Sequence, residues 1–335
     1  MKHGISTPGR LAGCLAAIVS LSLAAAGCGS GAKGSGKDIT IGLITKTDTN
    51  PFFVKMKEGA EKEAKAKGVK LMTAAGKFDG DNASQVTAME NMIAAGVKGI
   101  LIVPSDTKAI VPSLAKARAK DIDVIALDTP PDPQNSADAL FATNNLTAGT
   151  LIGKYAKSVE GGKPVKIAML DLNPGITVGV LRHNGFLQGY GIKEGDPSVV
   201  CSQNTAGDQA KGQTAMENCL QKDPGINLVY TINEPAALGA YTALKAAGKD
   251  RTTMIVSIDG GCTGVRAVQS GQIAATAQQY PLKMATQGVD SIVAWAQGGK
   301  KASGYTDTGV NLVTAKPQPG LASKDVQFGL ANCWG

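Results

Sequence analysis

The chain has 335 residues, of which 43% are hydrophobic and 18% charged, a composition that excludes a disordered chain and, at this length, points to two globular lobes. Its formal net charge of +7 is spread over solvated faces, such as Lys55, Lys57, Lys62, Lys65 and Lys67 interleaved with Glu58, Glu61 and Glu63, which excludes a nucleic-acid-binding patch. Of two histidines, only His183 lies beyond the leading segment, so a multi-histidine metal site is excluded. A Ser-His-Asp or Cys-His centre would have to use that one residue; the pattern argues against an enzyme, and no cofactor or metal is expected.

The chain begins with Lys2 and Arg10, an almost unbroken apolar or small run from Leu11 to Ala26, and then Ala25-Ala26-Gly27-Cys28. This order predicts a secretory signal over 1–27 ending in a lipobox-like sequence. Small residues suit a narrow protease site, and the Cys28 thiol is the acceptor for a diacylglyceryl group. Residues 28–37 are rich in Gly, Ser and Lys and bury nothing, so they read as a flexible tether. No later segment reaches the roughly 18 apolar residues of a membrane-spanning helix. The expected location is therefore extracytoplasmic, in the periplasm or on the outer face of the cell membrane, held there only by lipidated Cys28. Gly31 to Lys37 fits the spacing of a phosphate-binding loop, but Asp38 replaces the Ser/Thr that holds magnesium and no strand precedes it, so nucleotide binding is excluded.

An oxidising compartment permits disulfides. Beyond Cys14 and Cys28 there remain Cys201, Cys219, Cys262 and Cys333, which allow three pairings. Cys201 with Cys219 and Cys262 with Cys333 is favoured, because it closes a short local loop and staples the end of the chain; unpaired buried thiols are the alternative. No Cys-x-x-Cys pair supports zinc.

From Lys37 onward, short β-branched runs alternate with amphipathic stretches of helical length, the signature of parallel sheets covered by helices on both faces. Strands are predicted at Ile39 to Thr45, Val69 to Ala74, Gly99 to Val103 and Val124 to Leu127, with helices near Phe53 to Lys67, Ala83 to Ala95 and Ala109 to Ala119. The rhythm restarts after Asn144. Strands follow at Lys166 to Leu170, Ser198 to Cys201, Leu228 to Thr231, Met254 to Ile258 and Ala274 to Ala277. Helices fall near Val178 to Gly189, Gln209 to Gln221, Ala236 to Ala247 and Leu282 to Ala296. The fold class is thus α/β, two doubly wound parallel-sheet units in tandem.

Ligands of such sheets bind beyond the carboxyl ends of the strands. The polar residues there are Lys46, Asn50, Asp106, Asp128, Asn233, Asp259 and Gln279, joined by Arg182 near a helix start. Carboxylates, amides and a guanidinium each bind vicinal hydroxyls with paired hydrogen bonds. Phe52 and Phe53 beside Asn50 offer faces for the C–H side of a sugar ring. Any one of these residues alone reads equally as a cap, a turn former or core.

Thr49-Asn50-Pro51-Phe52-Phe53, Pro104-Ser105-Asp106, Ala126-Leu127-Asp128, Thr231-Ile232-Asn233-Glu234 with Ala237-Leu238-Gly239-Ala240, and Ile258-Asp259-Gly260-Gly261 resemble the ribose-binding-like, type I periplasmic binding proteins of ABC importers. The likeness runs from Ile39 to about Val310. Within that family, Asp208 to Gln213, Asp259 to Arg266 and Asn332-Cys333-Trp334-Gly335 are most similar to fructose-import binding proteins. The resemblance implies two lobes joined by a three-strand hinge, 38–143 with 280–307 and 144–279 with 308–335. It implies that Asn50, Asp128, Arg182, Asn233, Asp259 and Gln279 bind hydroxyls while Phe52 and Phe53 stack. Lys46, Val103, Thr129 and Gly207 depart from the ribose-binding pattern and turn the expectation toward a ketohexose. The expected function is capture of a monosaccharide, fructose first and ribose or mannose as alternatives, for ABC permease subunits, by a monomer. A sugar sensor that presents its closed form to a chemoreceptor or kinase is the alternative class.

Overall fold

The computed structural model describes residues 39–335; the expected signal over 1–27, the expected lipidation at Cys28 and the expected tether over 28–37 lie outside the described residues. The first lobe is built on one sheet and the second on another, each with six strands. In the first, β1 (Thr40–Thr45), β2 (Lys70–Ala75), β3 (Gly99–Ile102), β4 (Asp123–Leu127), β5 (Ala139–Ala142) and β11 (Gly304–Asp307) run in the order β11-β5-β4-β3-β1-β2. All of its neighbours are parallel. In the second, β6 (Ile167–Asp171), β7 (Val199–Asn204), β8 (Leu228–Thr231), β9 (Met254–Asp259), β10 (Ala275–Gln278) and β12 (Asn311–Thr314) run in the order β12-β10-β9-β8-β6-β7. Only β12 is antiparallel to its neighbour.

The helices are α1 (Pro51–Lys67), α2 (Asn82–Ala94), α3 (Val111–Arg118), α4 (Asn145–Glu160), α5 (Thr177–Tyr190), α6 (Gln209–Lys222), α7 (Glu234–Ala246), α8 (Cys262–Gln269), α9 (Pro281–Ala296) and α10 (Val326–Asn332). None among the described residues is long and apolar enough to cross a membrane. The chain passes between the sheets three times, after β5, after β10 and after β11. The two doubly wound lobes joined by a three-strand hinge are therefore present.

Local sequence explains how the elements start and stop. Asn50 caps α1 through its side chain, Pro51 occupies the first helical position, and Gly68 at φ 67° ends the helix, each where its backbone preference is met. The central strands of both sheets are buried on both faces, as parallel sheets sandwiched by helices require.

Several elements were not legible as apolar periods. Strands β5 and β11 have four residues each. The buried face of α4 consists largely of Ala148, Gly149, Ile152, Gly153 and Ala156, a stripe of small residues rather than large ones. Its reason lies in the partner: a Cβ on Gly149 would strike the Arg182 carbonyl, and one on Gly153 the Phe186 carbonyl, while Gly185 and Gly189 are hemmed in by α4 in return. Backbones of α4 and α5 touch there, and that approach brings the start of α4 up to Arg182.

Candidate functional site

The carboxyl ends of both sheets face one cleft. Deep in it, a cavity of about 30 Å³ is lined by Lys46, Asn50, Phe52, Phe53, Asp79, Asp128, Leu172, Val178, Arg182, Ile232, Asn233, Asp259 and Gln279. The first lobe supplies Lys46, Asn50, Phe52, Phe53, Asp79 and Asp128, and the second supplies Arg182, Asn233 and Asp259. Gln279 stands on the crossing after β10. Its lining comes from both lobes, so entry of a sugar requires the lobes to part. Toward solvent the cleft widens into a space of about 590 Å³.

Arg182 is the electrostatic centre. It is 5% exposed, its Nε donates to Asn145 Oδ1 at 2.7 Å, and its Nη1 donates to the Ile232 carbonyl at 3.0 Å. Its guanidinium lies 3.8 Å from Asp128 Oδ1 and 3.6 Å from Asp259 Oδ1. On the first lobe Lys46, 1% exposed, stands 3.6 Å from Asp79 Oδ2. Buried cations are thus matched by buried carboxylates, without which burial would be prohibitive. Burial pushes the Asp79 carboxyl up, opposed by Lys46. Burial likewise raises Asp259, to about 6, with Arg182 pulling it back.

Both central aspartates sit on unusual backbone, Asp128 at φ 59° and Asp259 at φ 144°. Such conformations cost about 1–3 kcal/mol each and persist where the surroundings hold them. Asp128 is held by its own N–H donating to the Phe141 carbonyl at 3.0 Å and by Thr129 Oγ1 donating to its Oδ2 at 2.8 Å. Asp259 receives Gln279 Nε2 on Oδ1 at 2.8 Å, and its carbonyl receives Gln279 N at 2.9 Å. The next turn is gripped by Glu234, whose carboxylate accepts from Gly260 N, Gly261 N and Thr276 Oγ1. Burial and the neighbouring Asp259 push Glu234 up to about 8, against those hydrogen bonds.

The amides carry local duties as well. Asn50 Oδ1 caps α1 at Phe52 N. Asn233 caps α7 at Ala236 N and donates to the Gly207 carbonyl at 3.0 Å. Gly207, at φ 67°, leaves no room for a Cβ beside that Asn233 amide. Asp106 does not reach the cavity; it accepts from Lys108 N and Ala109 N and serves its own turn. Three acceptors of the cavity make no hydrogen bond within the protein: Asp79 Oδ1, Asp128 Oδ1 and Gln279 Oε1. Leaving such atoms dry and unpaired costs about 1–3 kcal/mol apiece.

Sequence reasoning missed Asp79 and Asn145, and the strand-end rule would have reached both. Asp79 follows β2, and Asn145 follows β5, the strand too short to be read. Asn145 ties the site together, since its Nδ2 donates to the carbonyls of Asp128 and Thr143 while its Oδ1 receives Arg182. Cys201 is bonded to Cys219 and Cys262 to Cys333. Interlobe hydrogen bonds rim the cleft: Asn173 Nδ2 to the Asp79 carbonyl, Thr107 Oγ1 to the Gly175 carbonyl and Thr177 Oγ1 to the Pro130 carbonyl.

A two-lobed α/β protein with a polar, hydrogen-bonding cavity between its halves defines a solute-binding protein. Residues 41–301 match the periplasmic binding protein domain, and the chain belongs to that family. It is 33% identical to the ribose import binding protein of Bacillus subtilis over 84% of this chain and 90% of that one. It is 30% identical to the D-allose-binding periplasmic protein of Escherichia coli over 77% and 85%. A solute-binding protein of Actinobacillus succinogenes crystallised with D-allose superimposes with a TM-score of 0.73 at 26% identity, covering 82% of this chain and 97% of that one. The family is one of binding proteins, and this chain is a binding protein rather than a catalyst. Its family places it outside the cytoplasm.

Proposed function

We propose that this chain is the substrate-binding lipoprotein of a sugar ABC importer, a monomer that captures a monosaccharide between its lobes and delivers it to the permease. The observation that carries this is the set of unpaired acceptors, Asp79 Oδ1, Asp128 Oδ1 and Gln279 Oε1, gathered in one cavity. Acceptors without donors call for a guest rich in hydroxyls, because each hydroxyl brings a proton. Phe52 and Phe53 supply the apolar wall that the C–H face of a sugar ring packs on. Lys46 and Arg182 each already face a carboxylate, Asp79 for the first and Asp128 with Asp259 for the second, so the cavity offers no unmatched cation to an anionic guest and suits an uncharged one.

Fructose is the first candidate. It rests on the likeness of Asp208 to Gln213, Asp259 to Arg266 and Asn332 to Gly335 to fructose-import binding proteins, and on Lys46 and Gly207, which redistribute donors and space relative to a ribose site. The relatives named for ribose and D-allose make those sugars the direct comparators. The sugar first meets one lobe and, by contacting both, favours the closed arrangement over the open one. Anchoring through Cys28 fits an importer, which needs its binding subunit kept beside the permease.

The test is a thermal-shift and calorimetric screen of the purified protein against fructose, ribose, allose, arabinose, mannose and glucose. One of them should raise the unfolding midpoint and titrate with a single site. A protein that responds to none, yet responds to a peptide or amino acid, is not a sugar binder. Incorporation of labelled lipid that is abolished by Cys28→Ser checks the anchor.

A further inference from the structure

We infer that Trp334 is a positioning residue of the sugar site, delivered to it by the Cys262–Cys333 disulfide. The inference rests on the sugar-binding reading above. Trp334 follows α10, which packs on the second lobe through α8 and β12, yet its side chain is buried in the core cluster of the first lobe beside Phe52, Phe53 and Met284. Two of its contacts fall on cavity residues. Its ring meets Phe52 edge to face, with centroids 5.3 Å apart and planes at 79°, and its Nε1 donates to the Gln279 carbonyl at 2.9 Å.

Phe52 is thereby held by two edge contacts, Trp334 and, at 5.4 Å and 86°, Phe53. Edge-to-face pairs hold ring planes, and an aromatic wall whose plane is held stacks on a sugar at less ordering cost. Gln279 is fixed through its backbone, while its side chain donates to Asp259 Oδ1. One indole therefore orients both the stacking face and the partner of the strained aspartate.

The disulfide makes this possible. Cys333 is bonded to Cys262 at the start of α8, and Cys262 N donates to the Trp334 carbonyl at 2.9 Å. Gly261, against which the indole ring rests, has no side chain to displace it. The segment would otherwise be held to the second lobe mainly by the short helix α10. Fixing residue 333 covalently fixes where residue 334 can reach.

The chain has two tryptophans, and Trp295 lies away from the cleft beneath Lys301, so a Trp295→Phe protein reports on Trp334 alone. Binding of the sugar that the wild-type protein takes is measured by calorimetry for Trp334→Phe, Trp334→Ala, Cys333→Ser and Trp295→Phe. Trp334→Ala and Cys333→Ser should bind roughly tenfold more weakly, with Trp334→Phe between them and the wild type, because it keeps a ring edge and loses the indole donor. Trp295→Phe should keep wild-type affinity and shift its tryptophan emission on saturation with sugar. The double variant Cys201→Ala/Cys219→Ala, destabilised at the other disulfide, should bind as the wild type does, which separates positioning from loss of stability. Full affinity in Trp334→Ala, or an emission unmoved by sugar in Trp295→Phe, overturns the inference while leaving the sugar-binding reading intact. A wild-type protein that takes no sugar overturns both.

Discussion

Arg182 of the second lobe stands 3.8 Å from Asp128 of the first, both nearly sealed from solvent. This is an interlobe pair made at the bottom of the cleft, and it exists only while the lobes are together. Its second carboxylate, Asp259, lies on the same lobe as Arg182, 3.6 Å away, so the guanidinium keeps a counter-charge when the lobes part. That arrangement lets the cleft open without stranding a buried cation. It also leaves Asp128 Oδ1 without a hydrogen bond in the closed state, ready for a hydroxyl.

Asp259→Ala removes the partner that Arg182 keeps in every state and the acceptor of Gln279 Nε2. Sugar affinity should fall by on the order of 2–4 kcal/mol, roughly 30- to 1000-fold, since a charged group and ligand hydroxyls lose their partner together. Calorimetric titration checks it. Wild-type affinity in Asp259→Ala would remove Asp259 from the site.

Sugar binding should weaken in mild acid. Burial lifts the Asp259 carboxyl to about 6, and the ionised form is the better acceptor, so affinity should drop by about tenfold between pH 7.5 and pH 5. The stability of the unliganded protein runs the other way. Between about pH 4 and 6 the folded chain keeps a proton that the unfolded chain has released, so Asp259 subtracts stability as pH rises through that window. Binding isotherms across pH 5–8 test the first statement, and Asp259→Asn should flatten them.

His183 gives the opposite sign, away from the cavity. Its Nδ1 meets Asp171 Oδ1 at 2.9 Å and its Nε2 meets Glu194 Oε2 at 2.8 Å, with Tyr230 edge-on at 6.4 Å. The Asp171 hydrogen bond is the largest cause that lifts it to about 9. Its contribution is complete below the unfolded value of about 6.5 and disappears as pH climbs through 9. His183→Gln should cost on the order of 1–2 kcal/mol at pH 6, allowing for the exposed Glu194, and nothing at pH 10. A loss equal at both pH values would deny the charge.

The strand-to-helix rhythm made the two sheets legible, because buried parallel strands are written as β-branched runs and their carboxyl ends as polar residues. Lys46, Asn50, Phe52, Phe53, Asp128, Arg182, Asn233, Asp259 and Gln279 could be singled out that way. What the sequence conceals is non-local. Nothing in the letters says that Asp128 and Asp259 take positive φ, or that Glu234 turns its carboxylate onto Gly260 and Gly261. Asn145 follows a four-residue strand that gave the rule no clear run to start from, whereas Asp79 stands four residues beyond the end of β2 rather than just after it. Helix α4 hides for the related reason that four of its buried positions, Ala148, Gly149, Gly153 and Ala156, are small, with only Ile152 and Tyr155 as large apolar residues among them.

The same small-residue face offers a test of how packing sets the site. Adding a Cβ at Gly149 drives it into the Arg182 carbonyl and Phe186 N; adding one at Gly153 drives it into the Phe186 carbonyl and Tyr190 N, one turn farther along α5. Either substitution overpacks the α4–α5 contact, where the obstacles are backbone and cannot swing aside, so each should cost about 1–3 kcal/mol in unfolding experiments. Their effects on binding should differ. Gly149→Ala pushes directly on the residue whose guanidinium joins Asp128 to Asp259 and also shifts α4 at Asn145, so it should weaken sugar binding several-fold beyond its cost in stability. Gly153→Ala moves the helices apart where neither end touches the cavity, and its affinity should stay near that of the wild type. Equal binding by the two variants would mean that Arg182 is held by its hydrogen bonds to Asn145 and Ile232 alone, and that the close approach of α4 to α5 serves the fold without setting the site.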